Sequence, residues 1–392
     1  MSDISAPPIT CAEPGSFPWG VFHERHPALI RRIEQALPYG PAERRALAEL
    51  LRESRHDLVA TLPPDAPDLA LWQVWGKEHF GRPWPSLPFL WSESYFYRRL
   101  LEATGYFTGA WQGVDPFAPF KRAELAGDAF AADLAALDAR ESLTEAEREH
   151  ALLTTALWGN LADLGFTITA TASGPTGALA ADDSAALWPL LDGGLVHVVA
   201  DNAARELLAD LALIDHLLAS GRAGEVGLMV KPHPYYVSDA TATDVLACLA
   251  RLTAGSGEAA RVGARLTQAL RDGRLRLWTH PFACAPLPYR DMPDDLRREF
   301  AAAKVTVMKG DLNYRRLAGD RHWPPTTPFA EVTGYFPGPV AALRTVKSDV
   351  VTGLTPQTAT TLDAQTPTWR TAGTHALIQV RTGTGAGFSR GS

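Results

Sequence analysis

From about residue 190 onward the sequence alternates short β-rich apolar runs with amphipathic stretches, and this alternation constrains the fold more than any other feature of the chain. The runs are GGLVHVVADN, EVGLMVKPHP, RLRLWTHP, AKVTVMKGD and, later, HALIQVRTG. Between them lie AARELLADLALIDHLLAS, TDVLACLARLTA followed by EAARVGARLTQALRDG, and DDLRREFAAA, all with apolar residues at three- and four-residue spacing. Strands separated by helices build βαβ units and a mainly parallel sheet. VHVVA and VGLMV are apolar at consecutive rather than alternate positions, which fits strands covered on both faces. The second half of the chain is therefore expected to be α/β.

The first half carries few strand signals. HPALIRRIEQAL, PAERRALAELLRESRHDLVATL, SYFYRRLLEAT and TEAEREHALLTTALWGNLADL all show helical periodicity. Pro27 and Pro41 stand where a first helical turn tolerates proline. Residues 1–20, rich in Pro, Ser and Gly, read as a flexible lead-in; 21–185 as an α-helical N-terminal domain or cap; 186–382 as the α/β domain; and 383–392, GTGAGFSRGS, as a disordered tail. No internal repeat is visible.

Composition narrows the function classes. A chain of 392 residues with 46% hydrophobic content can bury a sizeable core. The formal net charge is −7 and no long basic run occurs, which argues against nucleic acid as a partner. Cys11, Cys248 and Cys284 are far apart and form no CxxC pair, so a reducing, cytoplasmic setting is expected. The N-terminus lacks the basic start and apolar stretch of a signal peptide, and no run of about 18 apolar residues predicts a membrane span.

In an open α/β sheet, ligands bind beyond the carboxyl ends of the strands. Asp201-Asn202 follows LVHVVA; Lys231, His233 and Asp239 follow VGLMV; His280 follows LRLWT; Lys309, Asp311, Asn313 and Arg315 follow VTVM. The last group opens KGDLNYRRLAGDRHW, which holds seven ionisable residues of both signs in fifteen positions and reads as the mouth of a site. Asp201, Asn202 and Asp239 offer hard oxygen ligands of the kind Mg²⁺ and Mn²⁺ prefer. Lys309, Arg315 and Lys347 offer cationic donors for phosphate oxygens. A divalent ion among positive side chains suits phosphoryl chemistry.

Plainer readings stand beside these. Asp-Asn after a strand is commonly a turn or a helix N-cap, and Asp239 could cap a helix beginning near Thr241. KGDLNYRR could be a solvated loop with structural ion pairs. His233, His280 and His322 fit supporting positions better than ligand positions, Asp210 fits a buried polar anchor, and Glu206 and Asp215 follow on the same helix, Asp215 nearer the surface. Trp158-Gly159-Asn160 reads as a helix segment, and WSESYFYRR as a core helix rather than a ligand box. No GxGxxG or GxxxxGK[ST] motif is present, so dinucleotide or Walker-type binding has little support.

Taken together and in order, WSESYFYRRLL, LWGNLADL, VVADNAARELLADLALIDHLL, VKPHPYYVSDAT, VMKGDLNYRRLAGDRHW and LRTVKSD resemble the metal-dependent damage-control phosphatases, a family formerly called a domain of unknown function. The nearest subfamily by this resemblance is that of the acidic residue methyltransferase-like proteins. The resemblance implies a Rossmann-like α/β/α sandwich behind a helical N-terminal part. It implies a divalent metal, Mn²⁺ foremost with Mg²⁺, Co²⁺ or Ni²⁺ as alternatives, on Asp201, Asn202 and Asp239. It implies substrate phosphate held by Asp311, Leu312, Asn313, Tyr314 and Arg315 and by Lys347, with Arg344 holding the loop; Lys309, from its place at the strand end, is a weaker candidate phosphate donor. Where the family has glycine and an aromatic after Asp-Asn-Ala or its equivalent, this chain has Ala204 and Arg205.

The expected function is hydrolysis of a small phosphomonoester, a sugar phosphate or related metabolite, through a metal-activated water, with Asp311 orienting the water or a substrate hydroxyl. The alternative is an S-adenosylmethionine-dependent carboxyl (glutamate) O-methyltransferase, as the older subfamily name suggests. A non-catalytic binder of phosphorylated metabolites is a third reading.

Overall fold

The computed structural model describes residues 6–139, 143–159, 179–366 and 368–383. Seven strands form one sheet: β1 (Leu179–Asp182), β2 (Leu195–Val199), β3 (Glu225–Val230), β4 (Leu275–Thr279), β5 (Val305–Lys309), β6 (Val340–Thr345) and β7 (Ala376–Arg381). Their order is β1-β7-β6-β5-β2-β3-β4. Every neighbouring pair is parallel except β6 and β7. From β2 the chain winds outward to β3 and β4, then returns to lay β5 on the other side of β2. The carboxyl ends of β2 and β5 therefore flank the topological switch point, where open α/β sheets form their ligand crevice.

Two apolar layers cover the sheet, which is the α/β/α arrangement expected. Val198, Leu228, Val230, Val307 and Leu343 face one core with the helices Arg205–Ala219, Ala242–Thr253, Gly257–Arg271 and Glu145–Trp158. Val199, Met229, Met308 and Ala342 face the other, following the two-residue side-chain period of a strand. The second core continues without a break into the N-terminal helices, through Leu29, Leu47, Trp91 and Phe96. The helical part thus shares its core with the sheet. Glu145–Trp158 and β1 already belong to the sandwich, ahead of the boundary expected at 186.

Residues 6–20 are not a flexible lead-in. Ala6, Ile9 and Cys11 are buried, Ile9 exchanges backbone hydrogen bonds with Asp320 and Phe89, and Phe17–Gly20 opens a helical run. The prolines that suggested looseness leave the intervening apolar side chains free to dock. Of the tail 383–392, residues 384–392 lie outside the described residues, as does Asn160 of the LWGNLADL motif. No helix among the described residues is long and apolar enough to cross a membrane.

The central helix Phe89–Ala103 carries WSESYFYRR, and it is a core helix: Trp91, Tyr95 and Phe96 pack in an aromatic cluster with Trp72 and Trp84. Each such side chain contributes roughly 1.5–3 kcal/mol on burial, enough to offset holding Glu93 in the same helix.

Sheet packing also depends on one glycine. Gly227 of β3 lies opposite His197 of β2, and a Cβ there would come 2.4 Å from the imidazole Nδ1 and 3.1 Å from the Trp278 indole nitrogen. Burial holds this imidazole below its usual pKa. Gly227→Ala forces that buried ring aside and is expected to cost about 1–3 kcal/mol, read as a lower denaturation midpoint with an unchanged m-value.

Candidate functional site

Two loops are zipped together beyond the sheet. The segment after β3 folds back against the segment after β2, so that Ala203 N–H donates to Ser238 O at 2.7 Å and Ala240 N–H to Asp201 O at 2.8 Å. Asn202 and Asp239 pair as an antiparallel bridge, and Lys231 N–H closes the turn on Ala240 O at 2.9 Å. This pairing brings Asp201, Asn202 and Asp239 from two strands to one pocket, each only 4–5% exposed. None is a helix cap. Thr241, not Asp239, caps Ala242–Thr253, and Arg205–Ala219 starts at Ala204 without a side-chain cap.

The third wall is the N-terminus of the helix Gly310–Ala318, which begins directly after β5. Gly310 has φ +79°, and a Cβ there would sit 1.8 Å from Asp201 Oδ2. Only glycine lets the backbone approach so closely. The free N–H groups and positive dipole end of this helix thereby meet the buried carboxylate and favour anions in the pocket. Asp311 and Leu312 line the pocket from the same turn.

The remaining polar groups fall into networks. Asn202 Nδ2 donates to Asp201 Oδ2 (3.0 Å) and Glu206 Oε2 (2.9 Å), while its Oδ1 accepts from the Ser238 hydroxyl (2.6 Å). Lys231 Nζ stands 3.4 Å from Asp239. Asp311 Oδ1 accepts from Arg344 Nε (2.7 Å), Lys347 N–H (3.2 Å) and the Ser348 hydroxyl (3.2 Å). Arg344 also binds the Ser348 and Val350 carbonyls, so it holds the loop that delivers Lys347, as expected. Asp311 is thereby an anchor for that loop as well as a pocket wall. Arg315 is clamped between Glu93 (2.9 Å) and Asp320 (2.7 Å). Burial alone would depress its pKa, but the two carboxylates outweigh this and hold it charged; burial raises that of Glu93.

Three expected phosphate contacts sit elsewhere. Lys309, the last residue of β5, points behind the pocket, fully buried, to Asp210 (2.8 Å) and Glu206 (3.2 Å). Burial would lower its pKa, yet these carboxylates raise it, and burial lifts Asp210 to about 7. The strand's alternation aims Lys309 into the core, so its charge is neutralised beneath the site rather than offered to it. Asn313 bonds the Ala200 and Lys309 carbonyls and Tyr289; Tyr314 bonds Thr352 and Gln379. Both support the pocket from behind. The histidines are also outside it: His280 accepts from Phe282 N–H, and His233 bonds Pro234 O.

Sequence reasoning missed the roof. Glu93 and Tyr97, one helical turn apart on the core helix, line the pocket with Tyr236 and Ser238, and Phe17 and Arg25 reach it from the N-terminal run. The one local signal was a carboxylate, Glu93, inside the aromatic stretch WSESYFY. The pocket volume is about 60 Å³, several times the 10–15 Å³ that one water requires and enough for small inorganic groups.

A sequence model of the damage-control phosphatase ARMT1-like domain matches residues 21–362. The chain belongs to the ARMT1-like damage-control phosphatase family. It is 29% identical to damage-control phosphatase ARMT1 of Danio rerio over 93% of this chain and 94% of that protein. It is 29% identical to the Mus musculus protein of the same name over 95% and 97%, and 32% identical to the Homo sapiens one over 58% and 57%. A crystal structure of a DUF89 family protein from Pyrococcus horikoshii aligns over 88% of this chain and 94% of that one, at 15% identity and a TM-score of 0.47. Membership makes this damage-control phosphatase homologue a hydrolase of phosphate esters by class.

In this family member the departure at Ala204 has a physical signature. Its φ is 54° and ψ −115°, a backbone state suited to glycine, and it sits between the Asp201-Asn202 pair and the helix they precede. Strain of this kind costs on the order of 1–3 kcal/mol, so Ala204→Gly is expected to raise stability by about 1 kcal/mol in thermal or urea melts. Gly310→Ala should do the opposite at the site. Its methyl displaces the Asp201 carboxylate, and phosphatase activity should fall at least about 100-fold while circular dichroism keeps the native helix signal.

Proposed function

We propose that this pocket hydrolyses a small phosphomonoester, a sugar phosphate or related metabolite, with the help of a divalent cation. The observation that carries the reading is the loop zipper. It sets two buried carboxylates and an amide side chain beside a helix N-terminus and Lys347, in one pocket.

The donor set fits a hard cation. Asp201 and Asp239 are buried carboxylates, Asn202 adds an amide oxygen that accepts from the Ser238 hydroxyl, and the Gly310 cradle lets the backbone approach Asp201 closely. Asp201, Asn202 and Asp239 would hold the ion, Mn²⁺ first among Mg²⁺, Co²⁺ and Ni²⁺. When bound, it supplies Lewis-acid polarisation of a phosphoryl oxygen and an acidified water. The chain's own residues do the rest. Lys347 and the amides at Gly310–Leu312 bind the phosphoryl oxygens, and Arg315, fixed by Glu93 and Asp320, adds positive charge without moving. Asp311 keeps the Lys347 loop in register and offers a carboxylate edge to a water or substrate hydroxyl. Tyr97 and Tyr236, stacked with centroids 4.5 Å apart, exclude water and face the leaving group.

The methyltransferase reading draws no comparable support. No glycine-rich loop of the GxGxxG kind follows any strand of this chain. Thermal-shift titration separates the two: Mn²⁺ should raise the melting temperature and S-adenosylmethionine should not. The three free cysteines are all buried, which supports a reducing, cytoplasmic setting.

The test of the hydrolase reading is phosphate release over a panel of sugar phosphates and nucleotides with each of the four metals. Asp201→Asn should lower the metal-dependent rate by at least about 10³-fold with its melting temperature kept. Full activity in that variant contradicts the assignment.

A further inference from the structure

Three cations around the pocket have their charge met by carboxylates of the protein. Arg315 is shared by Glu93 and Asp320, Lys231 faces Asp239, and Arg344 binds Asp311. Arg25 lines the same pocket, yet its guanidinium enters no hydrogen bond or ion pair among the described residues. It lies over the Phe17 ring at 5.8 Å and acts on the Glu93 carboxylate only from beyond ion-pair range. An arginine on open surface would be solvated and need no explanation. This one is half-buried at the wall of a pocket of about 60 Å³, with its donors unused.

A wide helical turn carries it. The helical run from Phe17 to Ala36 contains one π-turn, Val21–Arg25, closed by His26 N–H on Val21 O. Such single wide turns shift the helical phase by a residue and occur often at functional sites. The next residue pins the phase. His26 is fully buried, stacked on Phe96 at 3.6 Å, and burial keeps it uncharged. With His26 fixed inward, Arg25 is held on the pocket side.

Building on the phosphatase reading, we propose that Arg25 is a phosphate-binding residue, donating hydrogen bonds from its guanidinium to the phosphoryl oxygens of the substrate in the pocket it shares with Lys347. Arg25 lines the same pocket as Asp201, Asp311 and Lys347, which puts its guanidinium at the place proposed for the phosphoryl group. The planar fork of arginine suits two phosphoryl oxygens at once. The Phe17 ring, 5.8 Å away, covers one side of the guanidinium.

The experiment measures inorganic phosphate binding by calorimetry, with Mn²⁺ present, for the wild type, Arg25→Ala and Arg25→Lys. It also measures kcat/KM on the best phosphomonoester found and the melting temperature without phosphate. Arg25→Ala is expected to weaken phosphate at least about 10-fold and lower kcat/KM about 100-fold, with the phosphate-free melting temperature unchanged because no protein ion pair is lost. Arg25→Lys should recover only part of both, and it serves as the readout if the alanine variant does not fold. Wild-type affinity for phosphate in the variants overturns the inference whatever happens to turnover. Arg25-dependent phosphate binding in a protein that hydrolyses no ester withdraws the phosphatase reading and leaves the inference standing. A wild type that binds no phosphate removes both.

Discussion

The site rests on a few backbone hydrogen bonds between two loops. Strand ends that lie side by side in a sheet do not by themselves aim their loops at a common point. Here Ala203 on Ser238 and Ala240 on Asp201 stitch the loops after β2 and β3 into a short antiparallel pair, with Asn202 facing Asp239. Because these bonds lie within backbone, they hold whether or not the side chains are charged. Carboxylates of like sign repel when buried together, and it is this covalent and hydrogen-bonded frame that keeps Asp201 and Asp239 close to each other. The compensating positive charge comes from Lys231, the helix that starts at Gly310, and Lys347.

The crowded segment that follows β5 takes its meaning from direction. Within KGDLNYRRLAGDRHW two charged residues, Asp311 and Arg315, line the pocket, and their neighbours go to its foundations. Lys309 is buried under the site, and Asp311 ties the Lys347 loop to Arg344. Arg315 is locked by Glu93 and Asp320. Arg316 bonds three carbonyls of the loop after β4, those of Phe282, Ala283 and Leu287, between the Phe282 and Tyr289 rings. A segment so dense in charge is stable inside the protein because nearly every charge has a fixed counterpart, and such a pre-arranged field loses little to reorganisation when an anion arrives.

Much of this was legible in the sequence because the core strands are unusually apolar. β2, β3, β4, β5 and β7 stand out as runs, and the rule that ligands gather beyond strand ends leads directly to Asp201, Asn202, Asp239 and Asp311. β1, LAAD, and β6, VAALRT, escaped because alanine-rich runs carry no strong strand preference. Lys309 misled because composition cannot tell which way the last residue of a strand points. Phe17 and Arg25 were invisible for a different reason. They reach the pocket across some hundreds of residues of chain, and only tertiary packing reveals it. The proline-rich opening likewise looked loose, yet it is pinned by Ile9 and by the helix at Phe17.

The central claim is that Asp201, Asn202 and Asp239 share one cation. Anomalous X-ray scattering from crystals soaked in Mn²⁺ tests it most directly. The account predicts one strong anomalous peak within ligand distance of all three side chains and facing the Gly310 turn. A peak at another place, or none at saturating Mn²⁺, contradicts it.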